Sequence, residues 1–320
     1  MDRMWQTPIN SDLEKVSVNI SSVLRSERPE LQEMCDYLMN TRGKGIRPAI
    51  CILTHYACGG SDAEIDRMAS AFEMIHLATL VHDDINDKSE IRRGRRAVHK
   101  EYTVSKAIIL GDFIFAMGFK LVGSADRKVV DTITSASSAM AESELIQKGF
   151  EHKAAVTESD YIRIIRGKTA MPIQACARAG ALMAGADDIT VDAVSEFALN
   201  LGLAFQIADD VLDITGDQRS TGKDAGIDIV EGKPTLPVIY AMSSHSNGKR
   251  IRELFEKKDI SGKDIDEALT LIKETDAVGK CLSKAKELVE SAIPLLSCIG
   301  DSEYKDSLIS LARYAADRDR

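Results

Sequence analysis

Helical periodicity runs through almost the whole chain, and it constrains the fold more than any other feature of the sequence. Apolar residues recur every three or four positions, whereas the alternating pattern of β-strands is scarce. Only seven prolines interrupt the 320 residues. We therefore predict an all-α fold with a single domain over residues 1–320. The predicted helices span 12–25, 30–40, 46–57, 62–86, 99–121, 126–150, 158–183, 188–214, 234–243, 248–256, 263–273, 275–294 and 302–317.

The composition is that of an acidic globular protein, and it excludes several classes of partner. The 50 acidic residues exceed the 41 lysines and arginines and no basic tract stands out, so we expect no nucleic-acid partner. The six cysteines form no C-x-x-C pair, which favours reduced thiols and a cytoplasmic location. The longest apolar stretch, 107–119, contains Asp112 and is too short to span a bilayer, so we expect no transmembrane segment.

One short stretch, "LVHDDINDKSEIRRG" (80–94), combines three aspartates with two adjacent arginines. On a helix over 62–86, Asp83 and Asp87 lie one turn apart on the same face. Two such carboxylates share hard cations such as magnesium, and arginine forks match phosphate oxygens. Taken alone, the stretch fits a solvated, charged helix end at least as well.

The same spacing of i, i+1 and i+4 returns in "FQIADDVLDITGD" (205–217), which contains Asp209, Asp210 and Asp213. Apolar residues surround these aspartates, and carboxylates in so apolar a helix are costly unless they are paired or bind metal. Two such helices facing one another would form a cage with carboxylates on two walls. Magnesium ions in the cage would bridge the carboxylates to a diphosphate, and the recurrence weakens the interpretation as a solvated helix end.

Basic residues occur in three glycine-containing stretches, "RGKGIRP" (42–48), "RGKTAMP" (166–172) and "STGKDAGIDIVEGKPTLP" (220–237). The candidate basic residues are Lys44, Arg47, Lys168, Lys223 and Lys233, and the second stretch also contains Thr169. Each lysine alone is typical of a solvated side chain, but together they indicate a phosphate site divided between two anions. The third stretch lies in the least regular region, 215–237, which we predict to be a long loop that closes over the site.

Across these stretches the sequence resembles the trans-type polyprenyl (isoprenyl) diphosphate synthases. The resemblance runs in order through "GKGIRP", "HLATLVHDDINDKSEIRRG", "GKTA", "FQIADDVLD" and "GKDAGIDIVEGKPTLP" and covers nearly the whole chain. It implies an isoprenoid-synthase-type helical bundle around a deep central cavity, working as a homodimer. It also implies a magnesium-dependent prenyltransferase of isoprenoid biosynthesis. Such an enzyme joins isopentenyl diphosphate to an allylic diphosphate (dimethylallyl, geranyl, farnesyl or geranylgeranyl) and makes an all-trans polyprenyl diphosphate.

Carried over residue by residue, the resemblance implies a role for each charged side chain. Three magnesium ions would be bound by Asp83, Asp87 and Asp209, with Asp84, Asp210 and Asp213 as further ligands or as residues that support them. The allylic diphosphate would be contacted by Arg92, Lys168 and Lys223, with Lys233 closing over it. The diphosphate of isopentenyl diphosphate would be held by Lys44, Arg47, His76 and Arg93. Thr169 and Gln206 would face the reacting carbons.

The residue types agree with that chemistry. Ionising an allylic C–O bond leaves a carbocation and a diphosphate, and nearby cations stabilise the growing negative charge. The Thr169 hydroxyl and the Gln206 carbonyl would present negative dipole ends to the carbocation. No side chain in these motifs is an evident general base, so the released diphosphate is the expected proton acceptor.

Residues before the first aspartate motif bear on product length. The resemblance places the growing chain along the helix that leads to Asp83, where short-chain members carry an aromatic floor four or five residues earlier. Here Thr79 and Ala78 are small, and the next bulky residues include Ile75 and Phe72. Phe72 lies about 9 Å of helix below Ala78 at ~1.5 Å per residue, room for about two more isoprene units. We expect a product of C20 or longer, centred on C25–C35. The alternatives are a C15–C20 product, and a Phe72 that belongs to the core while another helix sets the floor.

Three other functions would use part of the same pattern. A class I terpene cyclase usually pairs one aspartate-rich motif with an Asn-Ser-Glu type motif. It lacks an isopentenyl diphosphate site, so the second aspartate motif and Lys44, Arg47 and His76 speak against it. A metal-dependent phosphohydrolase built on His82 and Asp83 leaves the arginine pair unexplained. A non-catalytic partner subunit tends to lose an aspartate motif, and both are intact here.

Overall fold

Helices account for almost all of the regular structure. The computed structural model describes residues 4–40, 43–61, 64–216 and 225–316. Within these ranges the strands form a single hairpin, β1 (Ile91–Arg92) paired antiparallel with β2 (Arg95–Arg96). The predicted all-α fold is confirmed.

The helices occur along the chain as follows. They are α1 (Asn10–Val23), α2 (Pro29–Met39), α3 (Ile46–Ala57), α4 (Glu64–Asn86), α5 (Val98–Glu101), α6 (Val104–Val122), α7 (Arg127–Phe150), α8 (Glu158–Ile165), α9 (Met171–Met183), α10 (Asp188–Thr215), α11 (Ile227–Val230), α12 (Leu236–Met242), α13 (Gly248–Phe255), α14 (Gly262–Lys273), α15 (Ala277–Ala292) and α16 (Glu303–Ala316). Met4–Ile9 and Ile293–Cys298 form short 3-10 helices, and Arg166–Ala170 forms a π-helical turn.

The chain divides into two compact units, each assembled from three stretches that are separate in sequence. Unit 1 contains Met1–Thr132, Cys176–Val194 and Ile299–Leu308. Unit 2 contains Ile133–Ala175, Ser195–Cys298 and Ile309–Arg320. A single domain over residues 1–320 stays a prediction, and so does the deep central cavity.

Helix α4 is the central element of unit 1 and packs against α1, α3 and α6. Two glycines of α6 make the contact with α4 unusually close. A Cβ added at Gly111 would collide with the ring of His82, and one at Gly118 would lie 3.1 Å from Cγ1 of Ile75. Because interiors are close-packed, a larger residue at position 111 would push the two helices apart. This contact fixes the part of α4 that leads into the first aspartate motif.

In unit 2, a π-helical turn interrupts what the sequence predicts as one helix over 158–183. A Cβ added at Gly167 in this turn would collide with Oγ of Ser143 on α7. A Cβ added at Gly202 on α10 would lie 2.6 Å from Cα of Ala170. The two glycines therefore let the turn lie in close contact with α7 and α10, and such turns are frequent at functional sites.

Two further predicted elements differ from the structure. The helix predicted over 99–121 is broken, because Thr103 caps the N-terminus of α6, where its hydroxyl accepts the backbone N–H of Lys106 at 3.2 Å. Threonine is favoured there, since its oxygen satisfies an amide that the first turn leaves without a helical partner. The region 215–237 is not wholly irregular, since its described part contains α11, which starts after Gly226 at φ +82°.

Among the described residues, α10 is long and apolar enough to cross a membrane by length and composition alone. In its most apolar window 67% is buried inside the protein, as in the core helix of a globular fold. Asp209, Asp210 and Asp213 also lie in this helix. The helix is therefore weak support for a membrane span.

Candidate active site

The first aspartate motif lies at the C-terminal end of α4 in unit 1, and its carboxylates have different surroundings. Asp83 and Asp87 are partly exposed and one turn apart, since the Asp87 N–H donates to the Asp83 carbonyl at 2.8 Å. Asp84 is only 3% exposed, and its Oδ1 accepts hydrogen bonds from Nε of Arg92 at 2.7 Å and from Nη2. Asp83 and Asp87 thus offer oxygen ligands, whereas Asp84 anchors Arg92.

A two-residue turn of the β1–β2 hairpin presents Arg93. Arg93 and Gly94 have φ values of +51° and +77°, as a type I′ turn requires. This conformation strains a residue that has a Cβ by roughly 1 kcal/mol. The Arg93 guanidinium lies against Gly43, where an added Cβ would be 2.6 Å from Nη2. The strained turn therefore carries Arg93 to the loop that contains Lys44.

Tyr37 of α2 holds the hairpin on its other strand. The Tyr37 hydroxyl donates to the carbonyl of Arg96 at 2.8 Å, and the Arg95 guanidinium lies 4.5 Å from the centre of its ring. The Tyr102 ring packs edge-on against Tyr37, with centroids 5.7 Å apart. Nothing in the sequence pattern indicated this clamp, because Tyr37 and Arg96 lie 59 residues apart.

Arg47, His76 and Arg93 form a basic cluster in unit 1. Burial, and then the charges of Arg47 and Arg93, hold the pKa of His76 well below its ordinary value, so the imidazole is neutral. Burial also lowers the pKa of Arg47, and the Glu73 carboxylate opposes that shift. The sequence interpretation missed Glu73, whose signal was its position one turn before His76 on α4. Two arginines beside a neutral histidine are side chains that can bind an anion.

Lys44 lies beside this cluster in the loop that enters α3. Gly45, with φ +64°, precedes the helix, and Arg47 lies in its first turn. The Lys44 side chain is exposed, and its backbone carbonyl accepts a hydrogen bond from Nε2 of Gln6 at 3.1 Å. Unit 1 therefore brings together the residues predicted to hold the diphosphate of isopentenyl diphosphate.

The second aspartate motif lies near the C-terminal end of α10 in unit 2. Asp209 is exposed, whereas Asp210 is 5% exposed. The Asp210 carboxylate accepts hydrogen bonds from the Tyr161 hydroxyl and from Nε2 of Gln206, both at 2.7 Å. Oε1 of Gln206 in turn accepts from the Thr169 hydroxyl at 2.7 Å. Burial, and then a neighbouring carboxylate, raise the pKa of Asp210 well above its ordinary value. Asp210 therefore orients Gln206 and, through it, Thr169.

Asp213 fixes the start of α11. Its carboxylate accepts the backbone N–H groups of Ile227 and Asp228, each at 3.2 Å, and its carbonyl accepts that of Gly226 at 2.9 Å. The sequence interpretation missed Asp228. Burial, and then the charge of Asp213, raise the pKa of Asp228 to about 8, and Lys233 opposes the shift. A carboxylate raised this far is a candidate to bind a cation, because the cation restores its charge.

Each described lysine of the predicted allylic diphosphate site has an internal carboxylate beside it in unit 2. Lys168, in the π-helical turn, has its Nζ 2.5 Å from Oε2 of Glu144 and donates to Oε1 of Gln147 at 2.8 Å. Nζ of Lys233 lies 2.6 Å from Oε2 of Glu231, and both side chains are largely buried. The partners of Lys168 were missed because that pairing depends on which segments meet in the fold. Glu231 was missed although it lies only two residues before Lys233 in the sequence.

The residues predicted to set product length lie on one stretch of α4. Phe72 and Ile75 are 6% exposed and Ala78 is fully buried. The half-buried Thr79 donates from its hydroxyl to the backbone carbonyl three residues earlier at 2.8 Å. Ile75 faces the close contact with Gly118 on α6, so part of its side chain belongs to the core of unit 1.

Magnesium suits the donors that these clusters offer. Among the described residues, no group of three or more His, Cys, Asp or Glu side chains forms a ready-made metal site. Magnesium does not need one, since it usually takes one or two carboxylates together with water and substrate phosphates. The carboxylates of Asp83, Asp87 and Asp209 are at least partly exposed and offer such oxygens. Asp84 and Asp213 already accept hydrogen bonds, which suits residues that support the ligands.

The predicted site residues thus fall into two clusters. Unit 1 holds the first aspartate motif and the basic cluster with Lys44, and unit 2 holds the second motif with Lys168, Thr169, Gln206 and Lys233. Lys223 lies outside the described residues.

A family model described as "Polyprenyl synthetase" matches residues 28–272 of the chain. The chain belongs to the polyprenyl synthetase family. An octaprenyl diphosphate synthase of Haemophilus influenzae is 34% identical to this polyprenyl synthetase over 310 residues, which are 96% of this chain and 94% of that one. An all-trans-nonaprenyl-diphosphate synthase (geranyl-diphosphate specific) of Rhodobacter capsulatus is 32% identical over 315 residues, 97% and 96% of the two chains.

A solved structure gives the same result for the fold of this polyprenyl synthetase. A polyprenyl synthase from Caulobacter crescentus CB15, complexed with calcium and isoprenyl diphosphate, matches with a TM-score of 0.94 at 31% identity. The match covers 100% of this chain and 98% of that chain. The predicted isoprenoid-synthase fold and enzyme class are confirmed, and the terpene cyclase alternative is not favoured.

Proposed function

We propose that this polyprenyl synthetase condenses isopentenyl diphosphate head-to-tail with an allylic diphosphate, depends on magnesium, and makes an all-trans polyprenyl diphosphate. The arrangement in unit 1 carries the proposal. There the partly exposed Asp83 and Asp87 are accompanied by a separate basic cluster of Arg47, His76 and Arg93. The carboxylates suit a diphosphate bound through metal, and the basic cluster suits a second diphosphate bound directly. A cyclase, which handles one diphosphate, would leave the basic cluster without a function.

The side chains of unit 2 would act on the allylic substrate. Lys168 and Lys233 bind oxygens of the leaving diphosphate, which departs with the electron pair of the broken C–O bond. Thr169, held by Gln206 at 2.7 Å, turns its hydroxyl oxygen toward the allylic cation that remains. The double bond of isopentenyl diphosphate then attacks this cation, a new C–C bond forms, and a proton leaves to the released diphosphate. Three magnesium ions would supply further positive charge to the leaving group.

A direct assay tests the proposal. Purified protein is incubated with magnesium, isopentenyl diphosphate and a C5, C10, C15 or C20 allylic diphosphate, and the products are sized by chromatography. The expected result is a ladder of products that ends at one length and is abolished by EDTA. Cyclised or hydrolysed primer without elongation would overturn the proposal.

We further propose a product of C25–C45, with C25–C35 favoured by the residues on α4. The named relatives make eight-unit and nine-unit chains, which supports a product above C20 and disfavours the C15–C20 alternative. The small residues Ala78 and Thr79 leave the space that a short-chain enzyme would fill.

A phenylalanine at position 78 or 79 is expected to shorten the main product by about two isoprene units, because a ring there blocks about 9 Å of helix below it. Ala78 is fully buried, so Thr79→Phe serves as the variant with more room for the ring. Product sizing and a melting curve check the result. Unchanged product length in a folded enzyme would show that another helix sets the floor.

His76 is expected to bind as a neutral hydrogen-bond donor, because its pKa lies well below the ordinary value. His76→Gln keeps a neutral donor and is expected to change the KM for isopentenyl diphosphate by less than about threefold. His76→Leu removes the donor and is expected to raise that KM about tenfold, the usual effect of one hydrogen bond to a charged group. Steady-state kinetics with isopentenyl diphosphate as the varied substrate measures both. Equal impairment of the two variants would contradict the neutral-donor role.

We propose that the enzyme works as a homodimer in the cytoplasm. On α6, Val104, Ile108 and Ile109 are 49%, 44% and 57% exposed, which is an apolar face of the kind that a second copy covers. Sedimentation would then give about twice the 35.0 kDa mass of one chain.

The cysteines bear on the proposed cytoplasmic location. The six cysteines, all among the described residues, form no disulfide, which suits a reducing compartment.

A further inference from the structure

The segment that carries Lys233 in unit 2 is tied down at several backbone positions. The Lys233 N–H donates to the carbonyl of Asp228 at 2.8 Å, and the carbonyl of Gly232 accepts the N–H of His152 at 2.9 Å. Lys233 is itself only 8% exposed, and its ammonium lies beside Glu231. The side chain of a lysine buried to this degree has little freedom to rearrange, so a shift of the backbone turn at Gly232 also shifts the ammonium.

His152 contacts this turn with its ring as well as with its backbone. An added Cβ at Gly232 would lie 2.5 Å from Cγ and Nδ1 and 2.6 Å from Cδ2 of His152. Gly232 has φ +65°, a conformation that favours glycine. The imidazole therefore lies directly over the Gly232 Cα, and no larger residue fits between them.

His152 is in turn held from the far side. Its Nδ1 lies 3.3 Å from the carbonyl oxygen of Phe255, a contact that is a hydrogen bond when Nδ1 carries the proton. Phe255 is 2% exposed, and its ring centroid lies 6.4 Å from that of His152. His152 also has φ +55°, a strained conformation for a residue with a Cβ. Strain of this kind persists only where surrounding contacts over-determine it.

We propose that His152 is a positioning residue for Lys233. The ring and backbone N–H of His152 hold the Gly232 turn in place, and Phe255 supports His152 from its other side. The position of the turn then determines the position from which Lys233 reaches the allylic diphosphate. The inference rests on the proposed contact of Lys233 with that diphosphate. In this role His152 touches neither substrate and acts only through the turn.

Substitutions at positions 232 and 152 distinguish two effects of a Cβ at position 232, namely its clash with the His152 ring and the backbone strain at a positive φ. Gly232→Ala is expected to reduce kcat/KM for the allylic diphosphate by about tenfold to a hundredfold, because a methyl group under the ring displaces the turn by about 1 Å. His152→Ala removes the ring that supports the turn and is expected to reduce kcat/KM for the allylic diphosphate about fivefold. The double variant is expected to return to within about threefold of His152→Ala, because the methyl group then fills the space that the ring has left. The matched control is Gly185→Ala, with φ +73° and open space around the added Cβ, which is expected to change kcat/KM less than twofold.

Coupling to Lys233 distinguishes a positioning role from a merely structural one. Lys233→Ala is expected to lower kcat/KM for the allylic substrate by itself, and Gly232→Ala is expected to add less than about threefold in that background. The KM for isopentenyl diphosphate is expected to stay within twofold throughout. If Gly232→Ala has its full effect without Lys233, or if the double variant with His152→Ala shows no recovery, the positioning role is overturned.

The same assay distinguishes failure of this inference from failure of the proposed function. The unaltered chain must elongate the primer in the same assay, so a chain that is not a synthase yields no elongated product in any sample. An elongating chain in which Lys233→Ala has no effect would overturn the contact of Lys233 with the diphosphate, and with it the role of His152.

Discussion

Asp83→Asn is expected to lower kcat by about a thousandfold or more while the protein stays folded. Asp83 is partly exposed at the C-terminal end of α4, where the helix dipole disfavours a negative charge. It also stands one turn from the like charge of Asp87. Neutralising Asp83 removes this repulsion together with an attraction to the Arg92 guanidinium, so the melting temperature is expected to change little.

Steady-state kinetics with saturating isopentenyl diphosphate and allylic substrate, at several magnesium concentrations, measures the effect. Asp112→Asn is the matched control, because Asp112 on α6 is 70% exposed, and it is expected to retain full activity. A large loss of activity without a loss of stability is the result expected for a carboxylate that binds a ligand. Asp83→Asn with normal activity would exclude Asp83 as a metal ligand.

Asp84→Asn tests a different role with the same chemistry. Asp84 is buried and bonded to Arg92, so its loss would release the hairpin that carries Arg93. The two aspartate motifs have identical spacing, but the aspartates within each motif have different roles. Asp84 and Asp210 face inward to hold Arg92 and Gln206, while Asp83 and Asp209 are the more exposed members.

The sequence predicts those features of the chain that depend on local spacing. Helical periodicity placed α4 and α10, and with them both aspartate motifs, because apolar spacing depends only on neighbours within a few turns. The break at Thr103 was missed, although a threonine that starts a helix leaves a visible signal. The π-helical turn leaves no such signal, since it depends on Ser143 and Ala170 packing closely against glycines from other segments.

Pairing over long distances in sequence escaped prediction for the same reason. Tyr161 and Asp210 lie 49 residues apart, and Lys168 and Gln147 lie 21 apart. Neither pair follows a helical or strand period, so only the fold shows that they meet. The sequence therefore predicted which side chains carry charge, and the structure supplied the internal partner of each.

The carboxylate partners of the three cationic side chains have the same physical role. Arg92 lies against Asp84, Lys168 against Glu144, and Lys233 against Glu231, and each pair lies within one unit. A cation that is largely withdrawn from water is costly without a counter-charge, so a neighbouring carboxylate stabilises it and holds it in place before substrate binds. A diphosphate with magnesium then takes over part of the partner's role.

Lys168→Met is expected to separate this structural role from the catalytic one. The Lys168 and Glu144 side chains are 23% and 16% exposed, so removing the lysine leaves a largely buried carboxylate without its cation. The loss in free energy of unfolding is expected to be roughly 3 kcal/mol, as measured by urea denaturation. Glu144→Gln added to Lys168→Met is expected to restore most of that stability, because a neutral amide needs no cation.

Activity is not expected to recover together with stability in these variants. Both Lys168→Met and the double variant are expected to have kcat at least about a hundredfold lower, because neither supplies a cation to the leaving diphosphate. Lys128→Met is the matched control. Lys128 forms an ion pair with Asp188 at 3.3 Å, but the two side chains are 67% and 85% exposed, so its loss is expected to change neither stability nor activity measurably. Recovery of activity in the stable double variant would show that Lys168 serves the fold alone. Full stability in the single variant would show instead that Glu144 does not need Lys168 as a partner.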